Sequence, residues 1–549
     1  MDENNEEEVL NENASNELVE EGSNSISLNE NTNNSSKKNK KVNKKIIIIL
    51  IILLLVLTLV GFFVYKNYFS KPVETITTKT KAKEVYSKYR MSGNKLEDFD
   101  LSFLQLENNS ENTLYSPLSI KYVLEMLSEG AKGETKTQID SIIGEYKANK
   151  YINSSNMSFA NAMFIRNSYK DNIKDTYIHN LSSKYNAEII YDSFENPNNL
   201  NSWVNNKTFG LINNLFDDIS QNQYILVNAL AIDMEWNKVI QADGNTDYRD
   251  LYSVSYPHEN YNAHISPINE NDYPSMQFNN NMNVKSVEIG ASINNYDIIK
   301  EIGEENIRKT VGDGYEQWKK ENLDECGADT DVNTFLDNYI KELGSNYKSV
   351  KASTDFSFYN DDEIKVFSKD LKQYNNTTLQ YIGIMPKNVE LTDYISNTNA
   401  SKINDIISKI KTIELNNFEY GKVYKIIGNI PLFKFEYDLN LMSDLKELGI
   451  RNVFDTNKAD LSNLTKQKGT YIDTVAHKAN IEFSNQGIKA AAATQLGGAG
   501  ATSCGYDYFY DVPVETIDMT FDKPYLFLIR DKVTGEVWFS GKVYQPTAN

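Results

Sequence analysis

The chain has 549 residues, 40% of them hydrophobic and 11% aromatic, with a formal net charge of -20. That length exceeds what one core usually holds, so one large domain with appendages is expected. The negative balance argues against nucleic acid as a partner, because phosphate neutralisation needs Lys and Arg clustered on a folded face.

Residues 1–36 carry ten acidic side chains and no Lys or Arg, amid many Asn and Ser. Such a segment buries too little apolar surface to offset its ordering entropy, and it reads as a disordered cytoplasmic tail. Residues 37–45 form a basic flank of six lysines, and Ile46 to Tyr65 follow without a charge. Twenty residues at a rise of about 1.5 Å reach roughly 30 Å, a bilayer's hydrocarbon thickness, so 46–65 is expected to be a single transmembrane helix. A cleaved signal peptide is the rival. The 45 residues before the run, its length and the missing A-x-A site favour an uncleaved signal-anchor. The denser lysine cluster precedes the span, which puts the N-terminus in the cytoplasm and the C-terminal mass outside the cell. Residues 66–92, rich in Lys and Thr, read as a stalk.

From residue 93 to 549 helical and strand patterns alternate. Leu114 to Ile143 opens with Ser116-Pro117, runs with helical spacing and breaks at Gly133-Glu134-Thr135. Ile225 to Met234, Tyr381 to Pro386 and Tyr525 to Ile529 are nearly continuous apolar runs, as strands buried on both faces require. Between 285 and 350, Ile298, Ile299, Ile302 and Ile307, and then Phe335, Leu336, Tyr339, Ile340 and Leu343, have helical spacing. They predict two or three inserted amphipathic helices, for which decoration and a docking surface are both open roles. The fold class is α+β with a large, mostly antiparallel sheet.

Catalytic and metal-binding constellations are missing. Cys326 and Cys504 form no CxxC, and whether they pair stays open. His179, His258, His264 and His477 show no metal-ligand spacing, and there is no GxSxG elbow or phosphate-cradling glycine loop. No enzyme activity, no metal and no cofactor is expected. The abundance of Asn, Ile, Lys and Tyr looks like the coding bias of an AT-rich genome.

A series of short patterns runs through residues 95–549. It begins with Asn112-Thr113-Leu114-Tyr115-Ser116-Pro117-Leu118-Ser119-Ile120, Gly130-Ala131-Lys132-Gly133 and Ala160-Asn161-Ala162-Met163-Phe164. Asn201-Ser202-Trp203-Val204, Leu226-Val227-Asn228-Ala229 with Trp236, Ile384-Met385-Pro386 and Pro431-Leu432-Phe433-Lys434-Phe435 follow. Ala459-Asp460-Leu461-Ser462, His477-Lys478-Ala479-Asn480-Ile481-Glu482, the run Ala490-Ala491-Ala492-Ala493-Thr494, and Phe521-Asp522-Lys523-Pro524 close the series. Any one is weak; in this order they resemble the serpin family, serine protease inhibitors.

The resemblance implies three β-sheets with about nine helices, held in a metastable state, and a reactive loop over 487–516. After cleavage the loop's N-terminal half enters the main sheet as a new strand, and the ester-linked protease is dragged along and distorted. Gly487, Ile488, Ala490, Ala491, Ala492, Ala493 and Thr494 match the family's hinge. Ser116, Ser119, Asn228 and His477 match the shutter, a hydrogen-bonded cluster beneath the opening sheet. Trp236 matches the tryptophan of the breach, where the loop enters.

Strands have period two, so alternate side chains must suit a buried face. Ile488, Ala490, Ala492, Thr494, Leu496, Gly498 and Gly500 carry no charge; the other set holds Lys489 and Gln495 and is expected on the solvent side. Two features depart from the family. Ile488 is bulky where inhibitory members have a small hydroxylated residue, which could slow insertion, and the loop is longer than usual around Gly505 to Asp511. Kept hinge spacing puts the reactive bond between Ala501 and Thr502, with Ser503-Cys504 and Tyr506 as rivals. Small Ala499-Gly500-Ala501 would suit elastase-like or subtilisin-like proteases with shallow first pockets. The expected protein is thus a monomeric, membrane-anchored inhibitor outside a bacterial cell. Its partner is an extracellular serine protease, with cysteine proteases as a further class. The alternative is a non-inhibitory binding or surface-display module that keeps the fold.

Overall fold

The computed structural model describes residues 88–240, 273–326, 330–488, 506, 508 and 512–546, all within one compact unit spanning 76–549. The tail, the basic flank and the apolar run 46–65 lie outside the described residues. Among the described helices none is long and apolar enough to cross a membrane.

Helix α1 (Phe99–Leu106) leads through β1 (Thr113–Tyr115) to α2 (Pro117–Gly130) and α3 (Gly133–Ile143). Strand β2 (Met157–Arg166), α4 (Asp175–Tyr185), β3 (Glu188–Asp192), α5 (Asn198–Lys207), β4 (Tyr224–Ile232) and β5 (Met234–Glu235) follow. Next come β6 (Ser275–Phe278), β7 (Met282–Asn295), three helices α6 (Ile298–Ile302), α7 (Glu304–Cys326) and α8 (Val332–Asn346), and β8 (Ser349–Ala352). A second mixed run holds β9 (Ser357–Asn360), β10 (Ile364–Asp370), β11 (Leu379–Pro386), α9 (Leu391–Ser396), α10 (Ala400–Lys409) and β12 (Lys411–Thr412). Then β13 (Lys422–Pro431), β14 (Phe433–Leu439), α11 (Leu441–Glu447), β15 (His477–Phe483), β16 (Gly487–Ile488), β17 (Val514–Asp518), β18 (Tyr525–Asp531) and β19 (Val537–Val543) complete the chain.

The seven-stranded sheet β1-β19-β18-β11-β10-β9-β12 is antiparallel throughout. Its β11 is buried along its whole length, as its unbroken apolar run requires. A second sheet runs β17-β13-β7-β6, with β8 beside β7 and β17 parallel to β13. Two smaller groups are β3-β2-β4 and β14-β15-β16-β5. Only Asp233 separates β4 from β5, so these groups are two halves of one main sheet, split along a seam. The three expected sheets are present, and the fourth hydrogen-bonded group is this split.

Helix α2 lies under the seam. Ser116 caps it by accepting the Ser119 N–H at 3.1 Å, and Pro117 fits the first turn, where no N–H is needed. The Lys121 ammonium, fully buried, sits 2.5 Å from the equally buried Asp100 carboxylate and ties α2 to α1.

Three boundaries differ from the sequence reading. Tyr89 and Met91, assigned to the stalk, are buried, and Met91 exchanges backbone hydrogen bonds with Ile142 and Glu145; the domain therefore starts before residue 93. The inserted helices begin at Ile298, because 285–295 belong to β7, whose pairing with β13 runs from Ser286 to Asn295. The loop ends earlier than 516, because β17 has begun at Val514.

Candidate loop-insertion site

Among the described residues the seam is a pair of facing strand edges without a strand between them below β16. Strand β4 is paired with β2 from Tyr224 to Ile232 on one side. Strand β15 is paired with β14 along its whole length, and on the other side meets β16 only at Phe483 opposite Ile488. Between them lies a cleft of about 290 Å³, lined by Tyr224 to Leu230 on one edge and Thr474 to Ala479 on the other. The Asn222 side-chain amide ties the foot, donating to Asp473 Oδ1 at 2.9 Å and Thr474 Oγ1 at 3.3 Å. At the head, β16 bridges the halves, pairing Gly487 with Glu235 and Ile488 with Met234.

The head is built by a tight turn. Ser484 N–H donates to Gly487 O at 3.0 Å, and Ser484 Oγ accepts the N–H groups of Gln486 and Gly487, each at 3.2 Å. Trp236 is fully buried beside it, donating Nε1–H to Ser484 O and its backbone N–H to Gln486 O, both at 2.8 Å. Its ring packs edge-on against Phe483 at 5.4 Å and Tyr381 at 6.0 Å. Gly487 has a steric reason: a Cβ there would stand 2.2 Å from Met234 O and 2.6 Å from Glu235 Cα. Ile488 is 2% exposed, already seated opposite Met234 and Phe483. The bulk at this first position is therefore accommodated before any cleavage.

The middle of the cleft holds the polar cluster. Ser116 N–H donates to His477 Nε2 at 2.9 Å, which requires that nitrogen to be unprotonated. Burial pushes the His477 pKa down to about 4. Asn228 donates to Asn161 Oδ1 at 2.8 Å, and Asn161 in turn donates to Tyr185 O at 2.9 Å. Asn228 Oδ1 is buried without a hydrogen-bond partner among the described residues. Ser116, Ser119, Asn228 and His477 thus line one cleft, and Trp236 stands at its head. Asn161 joins the cluster from within Ala160-Asn161-Ala162-Met163-Phe164, a pattern that does not itself say which strand Asn161 faces.

The second face of the seam is not solvent, as the alternation suggested. Ile225 and Val227 are 6% and 3% exposed, packed with Leu200 and Val204 of α5. The cause is the covering helix: the apolar run of β4 implies a cover on both faces, but not that α5 supplies one of them. Ala490, Ala491, Ala492, Ala493, Thr494, Ala501 and Thr502 lie outside the described residues.

Among the described residues, the main sheet is held apart along one seam, with the β15–β16 hairpin zipped into its head. The sequence model of the serpin (serine protease inhibitor) family matches residues 97–249 and 338–546. The chain belongs to the serpin family. It is 24% identical to mouse (Mus musculus) leukocyte elastase inhibitor A, over 82% of this chain and 97% of that protein. An uncharacterised serpin-like protein of Methanosarcina acetivorans is also 24% identical, over 82% and 84%. In fold the chain is similar to the thermophilic serpin tengpin in its native state, with a TM-score of 0.53 at 19% identity, covering 84% of this chain and 94% of that one.

Two measurements check the geometry. Gly487→Ala should push β16 off β5 and lower stability by about 1–3 kcal/mol in urea unfolding; an unchanged midpoint contradicts the close approach. His477 is neutral when folded, so between the ordinary value near 6.5 and about 4 the unfolded chain binds the extra proton. Its stabilising contribution is complete above pH 6.5, is lost as pH falls through that window, and amounts to about 3 kcal/mol. Urea titrations of the chain and of His477→Gln should therefore converge on acidification, and parallel profiles would contradict this.

Proposed function

We propose that this chain is a membrane-anchored, monomeric serpin-type inhibitor of extracytoplasmic serine proteases, elastase-like or subtilisin-like, acting by strand insertion after cleavage. The observation that carries the reading is β16, a strand already started at the head of a seam that no other described strand fills.

Continuing the β16 register tests the loop against the slot. One step on, Lys489 comes opposite Asp233 and Glu482, which offer its ammonium two carboxylates. Six steps on, Thr494 comes opposite both Asn228 and His477, where its hydroxyl can donate to the unpartnered Asn228 Oδ1. Ala490, Ala492 and Leu496 join Ile488 on the face of the main core, and Ala491, Ala493 and Gly497 are small enough for the face under α5. The exception is Gln495, which comes opposite the buried Val227. Kinship with a leukocyte elastase inhibitor and the small residues before the Ala501–Thr502 bond support a protease with a shallow first pocket. The uncharged run 46–65 supports the anchor.

Incubation with subtilisin or elastase should give a complex stable on a denaturing gel, and the cleaved chain should melt far above the intact one. Thr494→Arg places a charge in the seam, costing several kcal/mol. It should be cut at the normal rate yet form no complex, with the intact melting point unchanged. Undiminished complex with Thr494→Arg would refute the register. Cleaved chain alone across a protease panel would refute inhibition and leave a display module. Retention of the full chain in membranes after alkaline carbonate, and release of a chain starting at residue 76, checks the anchor.

A further inference from the structure

Helices α6, α7 and α8 have an apolar side, and the occupant of that side is part of the same chain. Ile298, Ile307, Val311, Tyr315, Phe335 and Tyr339 form a small core of their own, separate from the main one. Packed into it are Tyr506, Tyr508 and Val512, from the C-terminal limb of the reactive loop. The Tyr506 ring stands 5.7 Å from Tyr315, 5.8 Å from Phe335 and 6.0 Å from Trp318, edge-on or tilted to each. Tyr315 and Phe335 stack on each other at 3.9 Å beneath it. Tyr339 donates its hydroxyl to Tyr508 O at 3.4 Å.

A second, independent observation is Gly314. It lies inside α7, where glycine weakens a helix, and a Cβ there would sit 2.0 Å from the Tyr506 hydroxyl. The helix gives up a side chain where the tyrosine rests. The family match stops at 249 and resumes at 338, so α6 and α7 lie outside the part of the chain that the family pattern matches. The lengthening of the loop around Tyr506 is a second departure. The two departures fit each other.

We propose that the inserted helices clamp the C-terminal limb of the reactive loop at Tyr506, withholding that tyrosine from proteases and keeping the uncut loop out of the main sheet. This rests on the insertion mechanism above. Chain reach supplies the reason. A loop inserted as far as Gly498 comes opposite Tyr224, the foot of β4. From Gly498 eight residues lead to Tyr506, reaching at most about 28 Å. Returning past β4 alone takes about 26 Å, which leaves nothing for crossing the head of the sheet to the clamp. With the limb from Tyr506 to Val512 released, the tether runs to Val514 and is about twice as long. A long loop without the clamp could therefore insert intact and disarm the inhibitor. Cleavage at Ala501–Thr502 removes the constraint while Tyr506 stays seated. The clamp also discriminates among candidate bonds: Tyr506 cannot fill a protease pocket while it fills this one.

Two variants test this in the full chain. Gly314→Leu occupies the tyrosine's seat, and Tyr506→Ala empties it. Chymotrypsin should cut Gly314→Leu after Tyr506 at least about tenfold faster than the parent, since several aromatic pairs are lost. Incubated warm and uncut, both variants should pass into a higher-melting form unable to trap protease, about tenfold faster or more than the parent, while fresh samples trap normally. Equal chymotrypsin cutting in parent and Gly314→Leu, or equal rates of conversion, would overturn the clamp. If no sample traps any protease, the inhibitor reading fails by itself, and chymotrypsin protection still reports on the clamp.

Discussion

The structure turns on an unmet pairing: two strand edges, β4 and β15, that face each other across a cleft without bonding. Open edges are costly in a sheet, because their N–H and C=O groups ask for partners and recruit other strands. Here the edges are shielded from outside strands by α5 above and α2 below. The foot is fastened by Asn222 and the head by β16. What remains, among the described residues, is a slot between two strand edges, and the proposed insertion would fill it.

The polar cluster follows from the same constraint. A filled sheet would satisfy its middle with backbone bonds. An open one must hold its halves by side chains, and Ser116, His477, Asn228 and Asn161 do so with bonds to α2 and β2 rather than across the seam. His477 has to be neutral to accept from Ser116, and its buried site enforces that. Asn228 keeps one oxygen unmet, so the open state carries a local deficiency that a hydroxyl-bearing strand can relieve.

Much of this was legible in the sequence. The apolar run from Ile225 to Met234 reads as a strand buried on both faces, which β4 is. Other parts were not. Ile488 looked like an obstacle because its pocket is made by Met234 and Phe483, residues distant or reversed in the chain. The run at Ile225 to Met234 reads as buried on both faces but does not say what covers the face of Val227, because α5 arrives from elsewhere in the chain. The helical pattern of 298–343 and the tyrosines near 506 were each noticed as surplus. Neither names a partner by itself, since periodicity reports a face and not what covers it. In the fold they cover each other.

Amide hydrogen exchange along the seam tests the account most directly. In the intact chain the seam-facing amides of β4 and of His477 to Glu482 should exchange readily, while those of β4 bonded to β2 stay protected. After a single cut in the loop, the seam-facing set should become as protected as the rest. Unchanged exchange at those amides in a fully cleaved sample would mean that nothing enters the slot, and the insertion account would fall.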